Sequence, residues 1–461
     1  VYTDETRNSP ALLTIDYPDD WKVASQLRPL GGKSFDAETY DDLIDAPTII
    51  SPTLVHWQTK VRNAQIHIYF QNDDGLGGSN MNEEDVKADL AKIVEGQFAL
   101  MQDVPFKEYA FIYHLVSRPF SHGVEHKNSA SMVMGPAASV DQNYGAFLSL
   151  SSHEFFHVWN IKRIKPDVFL PYDYRKESYT PLLYVSEGFT SYYGSLTLAR
   201  TKQTPTSNYL SGVGSNITAL QNNYGRKVQP LALSSFDAWL SGYGAGRGAS
   251  SVSFYSKGEL IGLLIDLEIR QRTKNAKSLD DVMRLLNTEF AGQGRGFSAR
   301  DFKELVERTG TGSFTEFFER FIYGTDELPF AEKLAYAGLE LRKSTRGVVT
   351  GMLTADENGF PVVKSIEPES PAFTAGLDNG DVLIALNGKS LMNQSPVSML
   401  ATLNAGQSVE LSYIRSGLLK AVKLTLKGRD AFSISKKATA TAAEKAIFES
   451  WLAAKWSDVT I

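Results

Sequence analysis

The most informative absence in this 461-residue chain is cysteine, of which it has none. Disulfide bonds and thiolate ligands are therefore excluded, and any metal site has to be made from histidine and carboxylate side chains. The sequence also lacks a run of about 18 apolar residues, the length that a membrane-spanning helix needs. The missing cysteine leaves the compartment open between cytoplasm and periplasm.

Acidic and basic residues occur in nearly equal numbers. The chain carries 53 acidic and 47 basic residues, a formal net charge of -6, so its composition gives no electrostatic footprint for nucleic acid. Hydrophobic residues make up 42% of the chain and charged residues 22%, which is ordinary for globular domains. A chain of this length is expected to form about three domains.

The segment His153-Glu154-Phe155-Phe156-His157 places two imidazoles four residues apart, with a carboxylate beside the first. In a helix, positions i and i+4 lie on one face, so both imidazoles can bind one cation while Glu154 leans over an adjacent water. Zinc held by neutral nitrogens and one carboxylate keeps a coordination position open and lowers the pKa of its bound water. The pattern predicts His153 and His157 as ligands of one Zn²⁺ per chain and Glu154 as the general base.

A third protein ligand is expected from the segment between Tyr184 and Tyr193, which is small and aromatic and contains one carboxylate, Glu187. A lone Glu inside an apolar helix is costly unless it is paired, neutral or bound to a metal. Because a metal is already predicted nearby, we interpret Glu187 as the third ligand. The alternative is a helix-terminal or salt-bridged carboxylate.

The string HEFFHVWNIKRIKP from His153 to Pro166, followed by VSEGFTSYY, resembles the M61 family of glycyl aminopeptidases, gluzincins that bind zinc through two His and one Glu. The resemblance implies a thermolysin-like, mostly helical catalytic domain and an aminopeptidase that prefers a small N-terminal residue, glycine or alanine. Family members begin with a β-rich domain, and the segments PDDWKVASQL and TYDDLIDAP resemble its closing part. Since the chain begins at Val1, we expect the first strands of that domain to be lacking.

A polar cluster follows the strand predicted from Phe111 to Val116 and contains His122, Gly123, Glu125 and His126. Its glycine permits close backbone approach, so an edge strand here could lie against a peptide substrate. The cluster resembles the G-x-E-H-x-N-S element of the family, in which a Glu grips the free amino group of the substrate. The resemblance assigns Glu125 as the amine anchor, with Gly123 and His126 as further substrate-binding residues. The alternative is a solvated loop with ordinary surface histidines.

The element Tyr255-Ser256-Lys257-Gly258 opens a strongly apolar predicted helix. It resembles the element that places a tyrosine hydroxyl opposite the zinc in gluzincin aminopeptidases. A fixed O–H stabilises the negative charge that builds on the carbonyl oxygen of a peptide under attack, so the resemblance assigns Tyr255 as the oxyanion donor. The alternative is a tyrosine used only for packing. Lys257 is expected to cap the helix or to pair structurally.

Residues 336–428 resemble a PDZ domain through the strings SPAFTAGL and GDVLIALNG, in which Asn387-Gly388 is the hairpin turn that the pattern requires. Such domains bind peptide C-termini by adding a strand to a sheet edge, and the segment from Tyr336 to Leu339 loosely resembles a carboxylate-binding loop. A purely architectural role is the alternative. The tail from Ala438 to Trp456 is predicted to form one amphipathic helix docked on a neighbour.

These patterns predict a multi-domain α+β chain. The remainder of an N-terminal β-rich domain would span residues 1–70, a zinc peptidase domain with a helical subdomain 71–330, the PDZ domain 336–428 and a C-terminal helix 438–461. The Gly-rich stretch from Gly242 to Ser251 lacks a P-loop lysine, and we interpret it as a mobile loop instead of a phosphate cradle.

The predicted function is a zinc-dependent aminopeptidase that removes small N-terminal residues by attack of a metal-activated water. Its predicted substrates are peptides with a free N-terminus, and a peptide C-terminus is a candidate partner of the PDZ domain. Two alternatives stay open. One is a zinc endopeptidase whose PDZ domain recruits protein C-termini, and the other is a binding protein on an inactive peptidase scaffold.

Overall fold

The computed structural model describes residues 3, 5–73, 75–242 and 248–461. The mobile loop expected from Gly242 to Ser251 lies in part outside these described residues, and that interpretation stays a prediction. Among the helices of the described ranges, none is both long enough and apolar enough to cross a membrane.

The N-terminal region consists of short strands, as expected from its β-branched runs and turns. Strands β1, β4 and β3 form one sheet in that order, and β2 pairs with β5. A small separate core lies between them, formed by Leu27, Phe35 and Ala37. The elements are β1 (Ala11–Thr14), β2 (Lys22–Ser25), β3 (Arg28–Gly31), β4 (Ser34–Ala37), helix α1 (Tyr40–Ile44) and β5 (Thr48–Ser51).

A five-stranded sheet comes next, made of β6 (Val55–Val61), β7 (Ala64–Gln71), β8 (Glu108–Leu115), β9 (Phe120–Glu125) and β10 (Ser129–Gly135). Its order is β6-β7-β8-β10-β9, so β9 is an edge strand. Helix α2 (Glu83–Met101) has three acidic residues in its first turn and buries Val86, Leu90 and Val94. Because β7 pairs with β8 in parallel, the boundary expected between residues 70 and 71 would cut this sheet. We therefore place the end of the N-terminal region before β6.

The middle of the chain is helical and shares one large core with the five-stranded sheet. Helix α3 packs against α4, and α4 against α7. From Leu260 to Arg270 every residue of α7 is buried, as expected for a helix that is apolar on all sides. The helices are α3 (Tyr144–Phe156), α4 (Phe189–Arg200), α5 (Thr206–Gln221), α6 (Leu231–Phe236), α7 (Ser256–Arg272), α8 (Leu279–Glu289), α9 (Ala299–Thr309), α10 (Thr315–Phe321) and α11 (Phe330–Ala335).

The C-terminal region is a second β structure with its own core. Its main sheet has the order β12-β13-β14-β16-β17, with β15 on β14. Asn387 and Gly388, with φ of 49° and 75°, turn the chain between β14 and β15, as two positive φ angles at a hairpin turn require. The elements are β11 (Leu339–Val349), β12 (Met352–Glu357), β13 (Phe360–Ile366), α12 (Pro371–Thr374), β14 (Val382–Leu386), β15 (Lys389–Ser390), α13 (Pro396–Leu400), β16 (Ser408–Arg415), β17 (Leu418–Thr425), β18 (Lys427–Lys436) and α14 (Ala442–Leu452).

Helix α14 docks on the helical region, as the amphipathic tail predicts. Trp451 is fully buried, and its indole N–H donates to the Tyr192 hydroxyl at 2.9 Å. The guanidinium of Arg200 donates to the carbonyl of Trp451 at 2.8 Å. The C-terminal helix is therefore fixed directly to α4.

The segment from Tyr336 to Leu339 is not a carboxylate-binding loop, contrary to the sequence interpretation. Ala337 and Leu339 are buried, and a side chain on Gly338 would meet Trp456 and Ala440. The carbonyl of Gly338 accepts from the backbone N–H of Lys437 at 2.8 Å. The tail covers this segment, so no peptide terminus could reach it. The multi-domain α+β architecture itself is confirmed.

Candidate active site

Helix α3 brings the two histidines of the HEFFH segment to one point. His153 lies in its last turn and His157 follows at its end, with their Nε2 atoms 3.1 Å apart. The helix lies close against α4, because a side chain on Gly194 would come within 3.2 Å of the His153 backbone. The missing side chain at Gly194 lets α4 and the turn before it bring a carboxylate up to the pair.

That carboxylate is Glu187, which lies in a single π-turn, Tyr184–Gly188, directly before α4. A uniform helix was expected here, and the wider turn changes the direction in which Glu187 projects. Its Oε2 atom is 3.5 Å from Nε2 of His153 and 3.4 Å from Nε2 of His157. Ligands about 2.1 Å from a tetrahedral zinc are roughly 3.4 Å apart, so the donor atoms have the spacing that such an ion needs.

Asn160, which the sequence patterns did not single out, joins the histidine helix to the π-turn. Its carbonyl accepts from Nδ1–H of His157 at 2.5 Å, which leaves Nε2 of that ring as the free electron-pair donor. Its side-chain amide donates to the carbonyls of Val185 at 2.8 Å and Ser186 at 3.2 Å. The signal available in the sequence was a polar residue three positions after His157 in an otherwise apolar run.

Two glycines set the position of Tyr255. A side chain on Gly188 would lie 2.4 Å from the Cα of Gly258, and one on Gly258 would lie 2.8 Å from the carbonyl oxygen of Tyr184. The start of α7 therefore crosses the π-turn at backbone contact. Tyr255, immediately before α7, lines the cleft, with its ring centroid 6.3 Å from that of His153.

Edge strand β9 forms the opposite wall of the cleft. A side chain on Gly123 would lie 2.1 Å from Oε1 of Glu154, so the strand backbone rests directly on this carboxylate. Donor atoms of Glu125, Glu154 and His157 all lie within 4.8 Å of one another. Glycine at position 123 is needed for this contact with Glu154, and the approach to a peptide substrate expected from the sequence stays a prediction.

His126 has a different environment. Its Nδ1–H donates to Asp45 at 3.3 Å, and His126 is not among the described residues that line the cleft. This geometry favours a structural contact for His126, and its part in substrate binding stays a prediction. His122, by contrast, lines the cleft.

Burial and neighbouring charges shift the pKa values of the site. Burial raises the pKa of Glu154 to about 8. Burial alone would lower the pKa of His157, but the carboxylates of Glu125 and Glu187 outweigh it and raise that pKa to about 10. Burial also acts to raise the pKa of Glu187, yet His157 and His153 hold it well below its usual value. These side chains attract positive charge strongly when no metal is bound.

One buried atom of the site lacks a partner. Glu154 is 4% exposed, and its Oε2 accepts no hydrogen bond from any described residue. A buried carboxylate oxygen needs a donor, and a water or substrate group in the cleft could supply one. The orphaned oxygen and the two-nitrogen, one-oxygen donor set both fit a hydrolytic metal site.

Lys257 departs from its expected role. The side chain is 2% exposed, yet it forms no ion pair with any carboxylate in the described ranges. Burial, reinforced by Arg226, lowers its pKa to about 8. The expected structural pair is therefore not observed.

The cleft has a volume of about 490 Å³. It is wide enough for a short peptide segment. Its walls are Ser121, His122, Gly123, Glu125, Ala146, Ser149, Leu150, His153, Glu154, His157, Glu187, Ser191 and Tyr255.

Comparison with protein families gives three matches. Residues 146–261 match the model of M61 glycyl aminopeptidases, residues 1–52 the N-terminal domain of M61 peptidases and residues 362–415 a PDZ domain. The first match contains both histidines, Glu154, Glu187 and Tyr255.

Among solved structures, this chain is similar to an aminopeptidase N family protein from Idiomarina loihiensis, with 26% identity, a TM-score of 0.85, and 97% of this chain and 80% of that chain covered. An M1 zinc metallopeptidase from Deinococcus radiodurans has 14% identity and a TM-score of 0.46, with 68% of this chain and 63% of that one covered. A Haemophilus influenzae protein named "Probable periplasmic serine protease do/HhoA-like" is 32% identical over 107 residues. That match covers 21% of this chain and only 23% of the relative.

Proposed function

Because the chain is a peptidase whose residues 146–261 match the M61 glycyl aminopeptidase family, we propose that it is a zinc-dependent aminopeptidase. It releases small N-terminal residues, glycine or alanine, from peptides. The observation that carries the proposal is the convergence of two groups on His157: the donor triangle with His153 and Glu187, and the carboxylate pair Glu125 and Glu154. The preference for small residues rests on the family match.

His153, His157 and Glu187 would hold the metal, and the absence of thiolate ligands suits zinc with a hydrolytic role. Zinc in such a site polarises the substrate carbonyl and lowers the pKa of water. The hydrogen bond from His157 to the Asn160 carbonyl fixes the ring with Nε2 beside His153 and Glu187, where it would bind the ion. Three protein ligands leave a position open for water or substrate.

Glu154 would act as the proton carrier. Its unpartnered Oε2 accepts a proton from the attacking water, and the protonated carboxyl then gives that proton to the leaving nitrogen. A pKa raised by burial makes the carboxyl a better base than an exposed glutamate, and a nearby divalent cation lowers that pKa again. The backbone of β9 against Oε1 restricts the side chain to one orientation.

Tyr255 would donate its hydroxyl hydrogen to the substrate oxygen as that oxygen becomes negative. Its position beside His153 is set by the backbone contact of Gly188 with Gly258. Removing one such donor in comparable sites costs about 10²–10³ in kcat.

Glu125 would bind the substrate ammonium group and restrict cleavage to chain ends. Glu125 projects from the edge strand towards Glu154 of α3, and carboxylate oxygens of the two residues lie within 4.8 Å of each other. An extended peptide can lie along this edge, with its amino group at Glu125 and its first carbonyl near the histidines.

Hydrolysis of glycyl p-nitroanilide beside its N-acetylated form tests the proposal. We expect turnover of the free amine alone, lost with a chelator, restored by zinc and abolished by Glu154→Gln. Cleavage of the blocked substrate would replace the aminopeptidase by the endopeptidase alternative. Turnover that survives the chelator would overturn the metal assignment.

We further propose that the PDZ region can take a peptide C-terminus along β12. This strand lies at one end of the sheet order, and its own apolar side chain Leu353 is 64% exposed. Addition of a strand to that edge would cover Leu353. Fluorescence anisotropy with a labelled apolar C-terminal peptide and its amidated form tests this, and equal binding of both forms would refute it.

A further inference from the structure

A second cavity, of about 460 Å³, lies where the N-terminal region meets the helical region. Residues of helix α1, the turn after β9 and the segment that follows α3 form it. Three lysines line it: Lys127, Lys162 and Lys165. None of its lining residues lines the metal cleft, but the two cavities are neighbours, because burial and the carboxylate of Glu125 raise the pKa of Tyr172.

Two of the three ammonium groups are neutralised by aspartates of this cavity. Lys127 Nζ is 2.6 Å from Asp42, and Lys162 Nζ is 2.7 Å from Asp45. The third lining aspartate, Asp41, pairs with Arg7 at 2.8 Å. The acidic side chains of the cavity are thus already engaged.

Lys165 has no such partner. Within the described parts of the chain, its ammonium has no hydrogen-bond acceptor and no carboxylate within 4.0 Å. It lies over the ring of Tyr172, with Nζ 4.6 Å from the centroid. Burial and the neighbouring charge of Lys162 lower the pKa of Lys165 to about 8. A half-buried cation satisfied only by a ring face retains strong demand for an anion.

The other walls of the cavity are apolar. Ile44 and Leu170 are 45% and 39% exposed, and Pro171, Tyr172 and Tyr174 complete the surface. With the aspartates and the other two lysines paired, the single ammonium of Lys165 matches a singly charged carboxylate better than a multiply charged anion such as phosphate. We propose that this cavity binds a small organic carboxylate with a short apolar body, its carboxylate on Lys165 and its body on Leu170 and Tyr172.

Binding of N-acetylglycine, measured by isothermal titration calorimetry on the zinc-loaded 461-residue chain, tests the proposal. This probe has a carboxylate but no free amine, so it does not use Glu125 in the way proposed for substrates. We expect binding that Lys165→Met weakens about tenfold or more, as loss of a charged hydrogen bond does. The control Lys60→Met changes an exposed lysine on β6 and should leave the affinity unchanged.

Two further binding measurements test whether the carboxylate binds the metal and whether the site prefers phosphate. Binding should persist in His153→Ala, whereas a carboxylate bound to the metal would be lost in that variant and the proposal with it. Inorganic phosphate binding more tightly than N-acetylglycine would also overturn the assignment.

If Lys165→Met does not fold, NMR of the ¹³C-methylated lysines tests the site instead. N-acetylglycine should shift the resonance that is missing in Lys165→Gln, and no shift would refute the site. The readouts are independent of turnover, so failure of the proposed peptidase function would not affect them.

Discussion

Replacing Gly123 by alanine should separate activity from stability. The new Cβ would lie 2.1 Å from Oε1 and 2.4 Å from Cδ of Glu154, whereas real contacts of this kind are not found below 3.0 Å. Strand and carboxylate would have to separate by about 1 Å. The backbone of Gly123 has no positive φ, so the substitution adds no conformational strain of its own.

The yielding group should be Glu154, because the end of a side chain moves more easily than a paired strand. We expect kcat/KM for glycyl p-nitroanilide to fall about 10²-fold, the usual effect of misplacing a catalytic group by about 1 Å. Unfolding temperature and zinc content should stay close to those of the parent protein. Gly145→Ala is the matched control, since a side chain at this position of α3, the helix that carries Glu154, meets nothing within 4 Å.

Activity within threefold of the parent enzyme would refute the close contact between β9 and Glu154. A large fall in unfolding temperature would show instead that the strand yields. The first result would remove the argument for glycine at this position, and the second would assign the need for glycine to stability instead of activity. Kinetics, thermal unfolding and metal analysis of both variants are therefore needed together.

Three further predictions follow from the same environment. Asn160→Ala removes the amide that holds the π-turn and should lower zinc affinity about 10–100-fold, measured by chelator competition. Lys257→Met removes a buried cation that has no carboxylate partner in the described ranges and should raise the free energy of unfolding at pH 7 by about 1–3 kcal/mol, measured by urea denaturation. Folding lowers the pKa of Lys257 from 10.5 to about 8. The destabilisation caused by burying its charge is therefore complete below pH 8 and disappears as the pH rises to 10.5. The gain in free energy of unfolding from Lys257→Met should shrink over the same range. Zinc affinity should rise about tenfold per pH unit between pH 7 and 9. The pKa of His157 is raised to about 10 in the metal-free chain, so its proton must leave before the metal binds. A zinc affinity that does not change with pH would contradict this prediction.

Much of the fold could be predicted from local patterns. An acidic first turn and apolar periodicity predict α2, and the resemblance to a PDZ domain implies the C-terminal sheet and its Asn387-Gly388 turn. A domain boundary at residue 70 could not be judged from local patterns, because strand pairing is not local. The alternating residues of β7 predict a strand, but they do not say that its partner is β8, separated from it by helix α2.

The active site likewise combines features that local patterns predict with features that depend on distant segments. The spacing of His153 and His157 follows from helix periodicity alone, whereas the spacing of Glu187 depends on a π-turn that no residue type predicts. The contacts of Gly188 with Gly258 and of Gly123 with Glu154 join segments far apart in sequence. Tyr336 to Leu339 fitted a binding loop locally, but the docked tail, which lies about a hundred residues later, decides its role.

The spacing of the carboxylates also bears on how many residues are removed at a time. Donor atoms of Glu125 lie within 4.8 Å of those of Glu154 and His157. Along a peptide, the first nitrogen is about 2.5 Å from its own carbonyl carbon, and a second residue adds up to about 3.8 Å. An ammonium group held by Glu125, as proposed, would place the first carbonyl, not the second, near Glu154 and the histidines. An aminopeptidase of this geometry would release single residues instead of dipeptides, because β9 would carry both the proposed anchor and the glycine in contact with the proposed base.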